Sequence, residues 1–214
     1  MLKTIAGIIL GTMISIVSAG QQLQPGFDKQ EFLELLKIGA RTTADSGYYN
    51  KLPKPLHARL KYESALTGFD NYWQMWQMDN GVGVISVRGT TKSPISFLAN
   101  IYAAMVPAKG VLELRKDSAF HYTLSENPRA AVHAGFLVAM AYLSLDIVPR
   151  IDSAYASGTK EFILTGHSQG GAITYLLTSY LYQLKKEKRL PADIVFKSCI
   201  AAPPKPGNLF YAYD

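Results

Sequence analysis

Residues 166–172 decide the fold of this chain, and they read Gly166-His167-Ser168-Gln169-Gly170-Gly171-Ala172. The apolar residues 161–165 before them predict a buried strand, and the apolar spacing of residues 171–186 predicts a helix. Gly-x-Ser-x-Gly at such a junction is typical of a sharp turn that exposes a nucleophilic serine. Glycines two residues either side of Ser168 leave room where a β-carbon would collide with neighbouring backbone. The stretch therefore predicts Ser168 as a nucleophile; a glycine-rich turn with an idle serine is the alternative.

The rest of the pattern places this turn in an α/β architecture. Strands and helices alternate after residue 80, which predicts a mostly parallel sheet flanked by helices. Asp28 begins a helix that ends at Gly39, residues 40–68 are rich in loops, and Asn80-Gly81 indicates a hairpin. Further strands are predicted within residues 111–124 and over 195–201, and further helices over 94–105 and 131–147. Asn127-Pro128 indicates a helix start, and Pro149 is expected to interrupt the helix that begins near residue 131.

The amino terminus has the three parts of a secretory signal. Lys3 precedes an apolar run of about a dozen residues, and Val17-Ser18-Ala19 supplies the small residues of a cleavage site. The run is shorter than the roughly 20 residues of a comfortable membrane span, although an amino-terminal anchor is the alternative. We therefore expect residues 1–19 to be a signal peptide and residues 20–214 to form one exported domain, secreted or periplasmic, without a further membrane span.

Charge and cysteine content exclude several other classes of protein. The formal net charge is +6, but the basic residues are scattered, and their one dense cluster, residues 185–189, lies where a helix ends. Cations are favourable at that end of a helix, so we expect a solvated turn and no nucleic-acid partner. Cys199 is the only cysteine, which excludes an internal disulfide and matches no zinc spacing. We interpret it as a buried small apolar residue, and we expect no metal and no cofactor.

A second segment of the sequence, residues 84–90, has features expected beside a nucleophilic serine. A buried strand over residues 84–87 leads into Arg88-Gly89-Thr90. In hydrolases with a serine turn of this kind, the transition-state oxyanion is held by the amide after the nucleophile and by one from the loop after an earlier strand. Gln169 and Thr90 are the residues in those positions, and the Thr90 hydroxyl is a further candidate donor. An ordinary turn at the end of a strand is the alternative.

Four blocks in this order make the chain resemble the class 3 lipase family, the fungal-lipase branch of the α/β-hydrolases. The blocks are residues 87–90 (Val-Arg-Gly-Thr), 132–136 (Val-His-Ala-Gly-Phe), 165–172 around Ser168, and 202–208 (Ala-Pro-Pro-Lys-Pro-Gly-Asn). The resemblance covers residues 29–214 and implies an α/β-hydrolase fold. It implies Ser168 as nucleophile, Thr90 and Gln169 as oxyanion hole, and structural roles for His133 and His167. The helix over residues 94–105 falls where such lipases carry a lid, although a core or cap helix fits its apolar stripe equally well.

The chain departs from this family at its carboxyl end. Such lipases complete a serine, acid and histidine triad in that order, but the 46 residues after Ser168 contain no histidine, and Asp193 and Asp214 do not stand where the family's acid would. His57, His121, His133 and His167 are the upstream candidates for a general base. We expect none of them to serve, and we expect the sequence to be a carboxyl-terminally incomplete piece of a longer hydrolase.

Two functions of different kinds follow from these observations. The first is a secreted serine ester hydrolase, a lipase or carboxylesterase, that acts on acyl esters and contacts a lipid interface. The second is a non-catalytic or inactive relative that only binds acyl, lipid or glycan ligands. A peptidase or acyltransferase on the same fold would keep the nucleophile and change only the acceptor.

Overall fold

The computed structural model describes residues 22–43, 46–116 and 118–214. The predicted signal peptide lies outside the described residues. The elements are α1 (Lys29–Ala40), α2 (Ser46–Tyr49), β1 (Ala58–Glu63), β2 (Trp73–Met78), β3 (Gly83–Val87), α3 (Pro94–Ile101), β4 (Met105–Pro107), β5 (Lys109–Arg115), β6 (Ser118–Thr123), β7 (Ala131–His133), α4 (Ala134–Ala156), β8 (Glu161–His167), α5 (Gln169–Lys186), β9 (Val195–Ala201) and α6 (Leu209–Ala212).

The central sheet has five described strands in the order β1-β2-β3-β8-β9. β3, β8 and β9 are parallel, as predicted, while β1 and β2 add an antiparallel edge through the hairpin at Gly81. Two small two-stranded sheets, β4-β7 and β5-β6, stand apart from it. The parallel strands end together at Val87, His167 and Ala201, so the loops that follow them meet at one edge.

Helices cover both faces of the sheet, as predicted. The larger apolar core joins the sheet to α4 and α5, with Phe136, Met140 and Ile173 fully buried. A smaller core packs α1 through Leu35 and Ile38 against the other face. α4 is the helix of the described part that is long and apolar enough to cross a membrane, but most of it is buried in the larger core.

Two predictions around α4 are wrong. The expected helix start at Asn127-Pro128 is a turn, in which the Asn127 carbonyl accepts from the Ala130 amide, because residues 131–133 instead pair with β4 and bridge to Gly207. Pro149 does not interrupt the helix, which continues to Ala156. Proline removes the amide that would bond the Leu145 carbonyl, and Leu145 lies on the exposed side, where water can replace that bond.

Smaller differences come from long-range pairing. α3 ends four residues before the predicted position, because residues from Met105 onward join a strand. The loop-rich segment 40–68 contains α2 and β1, the latter paired with β2. Cys199 is half-buried rather than buried, and burial raises the pKa of its thiol.

Candidate active site

Ser168 stands alone between the last residue of β8 and the first residue of α5. Its φ is 54° and its ψ is −128°, a conformation that L-residues adopt only when their surroundings impose it. Its amide donates to the Ala201 carbonyl at 3.1 Å, and its carbonyl accepts from the Ala172 amide at 3.1 Å. The turn is therefore held by β9 on one side and by the helix on the other, with the side chain left at the surface edge.

The glycines of the motif are explained by close backbone approach. A β-carbon on Gly166 would lie 2.5 Å from the Gly170 carbonyl carbon, and one on Gly170 would lie 2.3 Å from the Val87 carbonyl oxygen. Real β-carbons do not approach backbone atoms so closely. The two glycines thus allow α5 to begin directly after β8 and close to the end of β3. The amino end of α5 lies at Gln169, and the partial positive charge of a helix amino end stabilises negative charge that develops beside it.

The loop after β3 lies against this turn. A β-carbon on Gly89 would lie 2.9 Å from the His167 carbonyl oxygen and 3.9 Å from the Ser168 β-carbon. Thr90 follows Gly89, and no hydrogen bond of its amide is found in the described part of the chain. The Gln169 amide begins α5 and has no intrahelical acceptor. Thr90, Ser168 and Gln169, which the sequence put forward together, are therefore neighbours.

A hydrogen-bonded cluster that the sequence did not reveal fixes the Thr90 loop. The Thr90 hydroxyl donates to Gln169 Oε1 at 2.5 Å, and Gln169 is buried. From α3, Asn100 Nδ2 donates to Thr90 Oγ1 at 2.9 Å and to Gln169 Oε1 at 3.2 Å. The Thr90 hydroxyl proton is thus taken by Gln169 rather than left for a ligand. The signal that singles out Asn100 is a single amide side chain within a helix whose other polar residue is Ser96.

The start of α3 is tied down by a second set of contacts. Ser93, its N-cap residue, donates from its hydroxyl to Asp70 Oδ2, and Arg88 donates to the Asp70 carbonyl at 2.6 Å. Arg88 also lies over the Tyr72 ring, and burial lowers the pKa of its guanidinium. The Arg88 side chain therefore links the loop after β3 to the segment that contains Asp70 and Tyr72, beside the site.

α3 turns its large apolar side chains to solvent. Ser96 and Ala99 face the protein, while Ile95, Phe97, Leu98 and Ile101, which we call the α3 apolar face, are each about half or more exposed. The resemblance implied a lid at this helix, and in this structure the α3 apolar face points outward. An exposed apolar surface beside a functional site is typical of a contact with a protein or lipid.

A cavity of about 1090 Å³ opens on the other side of the turn. It lies between α1, represented by Leu35 and Leu36, and the ends of the parallel strands at Val87, His167 and Ala201. This volume is slightly above the range of roughly 300–1,000 Å³ that is typical of small-molecule sites.

The four histidines of the chain occupy different places, and none hydrogen-bonds to Ser168 in the described part. His57 faces Asp79 at 3.4 Å on the surface. His121 is exposed on β6, and the His167 side chain is exposed although its backbone belongs to the turn. His133 is buried at the start of α4. Within the described residues there is also no cluster of three or more His, Cys, Asp or Glu side chains that could hold a metal ion.

Comparison with known proteins agrees with this architecture. The family model for lipase (class 3) matches residues 84–213. No curated protein matches the chain in sequence. Similar solved structures include a fungal lipase in complex with an inhibitor, with 18% identity over 86% of this chain and 65% of that one at a TM-score of 0.61. A triacylglycerol lipase from Penicillium expansum gives 16% identity, 87% and 65% coverage and a TM-score of 0.60.

A lipase from Rhizopus microsporus var. chinensis is also similar, with 24% identity over 86% of this chain and 60% of that one at a TM-score of 0.54. The chain thus spans less than two thirds of each of these proteins. At such identities the structures show a shared α/β-hydrolase fold, and the family model adds the sequence evidence over most of the chain. By its fold and by residues 84–213, this chain belongs to the class 3 lipase family.

Proposed function

We propose that this protein is a secreted serine ester hydrolase of the lipase type, with Ser168 as nucleophile and the amides of Thr90 and Gln169 as oxyanion hole. The observation that carries the proposal is the strained backbone of Ser168, which stands beside the Thr90 and Gln169 amides, and the described part of the chain supplies no acceptor for either amide. Strain of this kind persists where surroundings over-determine it and is common at active sites.

In the proposed reaction, Ser168 Oγ bonds to the acyl carbon of an ester while the carbonyl electron pair moves to oxygen. The Thr90 and Gln169 amides donate to that oxyanion, and loss of one such donor typically costs roughly 10²–10³ in rate. The serine proton passes to a histidine base and then to the leaving alcohol as the ester C–O bond breaks. Water then releases the acid from the acyl-enzyme.

The proposal places the histidine and its acid on a segment outside these 214 residues. His57, His121 and His167 are exposed, and His133 is engaged at the start of α4, so none of the four supports a base role. The cavity between α1 and the strand ends has room for a further segment next to the turn. The α3 apolar face supports a lipid interface as the place of action.

A non-catalytic acyl or lipid binder is the second candidate. It is favoured by one observation, namely that Ser168 Oγ has no histidine partner among the described residues. The two candidates differ in what Ser168 does, because a binder requires only the cavity and the exposed apolar face.

The test is to express the full reading frame and the 214-residue chain, each with Ser168 or with Ser168→Ala. Hydrolysis of p-nitrophenyl butyrate and labelling by a fluorophosphonate are measured. We expect the full product to hydrolyse the ester and label at Ser168, and Ser168→Ala to abolish both. Lipid-vesicle binding with no hydrolysis and no labelling by the full product would establish the binder instead. Amino-terminal sequencing of exported protein, expected to begin at Gly20, tests secretion.

A further inference from the structure

The cavity beside the serine turn combines apolar side chains from one helix with cations from one loop. Its apolar part includes Leu35 and Leu36 of α1. Two cations, Arg88 and Lys92, line it from the loop after β3. None of the lining residues in the described part of the chain is an aspartate or a glutamate. Apolar surface and uncompensated positive charge in one cavity suit a ligand that is apolar at one end and anionic at the other.

The protein around the two cations supplies little negative charge to them. Lys92 is exposed, and neither cation forms an ion pair with a carboxylate of the described residues. The Arg88 guanidinium donates to the Asp70 carbonyl and lies over the Tyr72 ring, and both of these groups are neutral. The Asp70 carboxylate attracts Arg88 through space, but its hydrogen bond comes from the Ser93 hydroxyl. Lys92 is therefore available to contact an anion, and Arg88 adds positive potential in the same cavity.

Both cations belong to the loop that supplies one of the proposed oxyanion donors. Arg88 and Lys92 each stand two residues from Thr90, and residues 88–92 all line the cavity. Two residues of extended chain span at most about 7 Å. An anion at Lys92 would therefore lie close enough to the oxyanion hole to belong to the same molecule as the reacting ester.

We propose that the substrates are anionic esters, in which a phosphate or carboxylate near the ester bond is held by Lys92 in the field of Arg88 while the acyl chain lies against α1. This inference deepens the proposed function and rests on it. A neutral ester with the same acyl chain would gain the apolar contact but not the electrostatic one. A ligand of roughly 300 Å³ would leave most of the cavity to the segment that is proposed to carry the histidine.

The first test measures binding without chemistry. The full product with Ser168→Ala is titrated in a calorimeter with octyl phosphate, octanoate and octanol, which differ in charge and share a chain length. We expect both anions to bind about tenfold more tightly than octanol, and Lys92→Glu to remove this difference. Lys92→Gln, which removes the charge without reversing it, should have a smaller effect of the same sign. The control is Lys116→Glu, at the exposed turn between β5 and β6, which changes the net charge equally and should leave binding unchanged.

The second test distinguishes a lipid headgroup from the carboxylate of a small ester. Release of octanoate by the full product is measured with dioctanoylphosphatidate and O-octanoylglycolate, and with dioctanoylglycerol and ethyl octanoate as their neutral counterparts. We expect kcat/KM to be about tenfold higher for the charged member of at least one pair, and Lys92→Glu to abolish that preference. A preference confined to the phosphatidate assigns a phospholipid headgroup, and one confined to the glycolate ester assigns a carboxylate.

Equal binding of octanol and of the two anions overturns the inference. An equal loss of anion binding in Lys116→Glu and Lys92→Glu also overturns it, since net charge alone would then explain the effect. The same holds if the 214-residue chain binds the anions and the full product does not, because the added segment would then neutralise the cations. Anion binding without any ester hydrolysis contradicts the proposed function and leaves the anion site in place, whereas hydrolysis without a preference for charged esters does the reverse.

Discussion

Gly135 lies so close to Ala99 that a β-carbon built on it would stand 2.1 Å from the Ala99 carbonyl oxygen. This contact joins the first turn of α4 to the helix that carries Asn100. The Val-His-Ala-Gly-Phe block thus has a physical explanation: His133 caps α4, Gly135 lets α3 approach, and Phe136 stacks on the imidazole.

Gly135→Ala should therefore damage the site as well as the fold. The added methyl group forces the end of α3 away from α4, at a cost of about 1–3 kcal/mol for overpacking of this kind. We expect a lower free energy of unfolding in urea and a loss of kcat for p-nitrophenyl butyrate. The control is Gly39→Ala near the end of α1, where a β-carbon meets no atom within 4 Å and helix propensity improves. Equal stability of the two variants would contradict the close approach.

Thr90→Val tests the hydroxyl that joins the two proposed oxyanion residues. Valine keeps the backbone amide and the shape of the side chain but removes the bonds to Gln169 and Asn100. Since the Thr90 loop loses these hydrogen bonds, we expect kcat to fall about tenfold. This is a smaller loss of rate than the roughly 10²–10³-fold that is typical when a whole oxyanion donor is removed. Steady-state kinetics measure the effect, with Thr123→Val on β6 as the control. An unchanged kcat would show that the backbone alone fixes the loop.

The α3 apolar face should control action at a lipid surface. Phe97 is 53% exposed, and burying a phenyl group in lipid contributes about 2 kcal/mol. We expect Phe97→Ser to weaken binding to phosphatidylcholine vesicles about tenfold and to reduce hydrolysis of emulsified tributyrin more than that of a soluble ester. Val111→Ser removes an equally exposed apolar side chain from β5 and serves as the control. Equal losses in both variants would assign the effect to general hydrophobicity.

Glu34 should make the stability of the α1 region depend on pH. Its carboxylate accepts from the Leu56 and His57 amides at 2.5 and 2.7 Å and from Lys37 at 2.9 Å. Burial raises the pKa of Glu34, but these hydrogen bonds and the Lys37 charge outweigh it, so the pKa is lowered. A carboxyl group whose folded pKa is lowered contributes stability above its unfolded pKa, and that contribution is lost as pH falls through the folded value.

We therefore expect Glu34→Gln to reduce the free energy of unfolding by about 2 kcal/mol at pH 7, a typical value for hydrogen bonds to a charged group. The difference from the parent should shrink below about pH 4. Urea unfolding at pH 7 and pH 3.5 measures it, and Glu113→Gln on the exposed side of β5 is the control. A difference that does not change with pH would show that the charge of Glu34 plays no part.

Local patterns were sufficient for the elements that position the nucleophile. The Asn80-Gly81 hairpin, the helix capped by Asp28, strand 195–201 and the strand and helix around Ser168 all appear within two residues of their predicted bounds. These segments were predictable because hydrophobic periodicity, capping residues and turn glycines act over a few residues. At β1, β7 and the end of α3, pairing with other segments of the chain overrides these local preferences. The same patterns therefore predicted the wrong structure there.

The amino-acid sequence by itself thus determined the family, the fold and the turn at Ser168, because each depends on short-range spacing. Only the tertiary structure brought Asn100, Thr90 and Gln169 into one hydrogen-bonded cluster. These residues come from α3, from α5 and from the loop after β3, and they lie as far as 79 positions apart in the chain. Their meeting depends on how α3 packs on α4 beside the parallel strands, and no local sequence pattern encodes that packing.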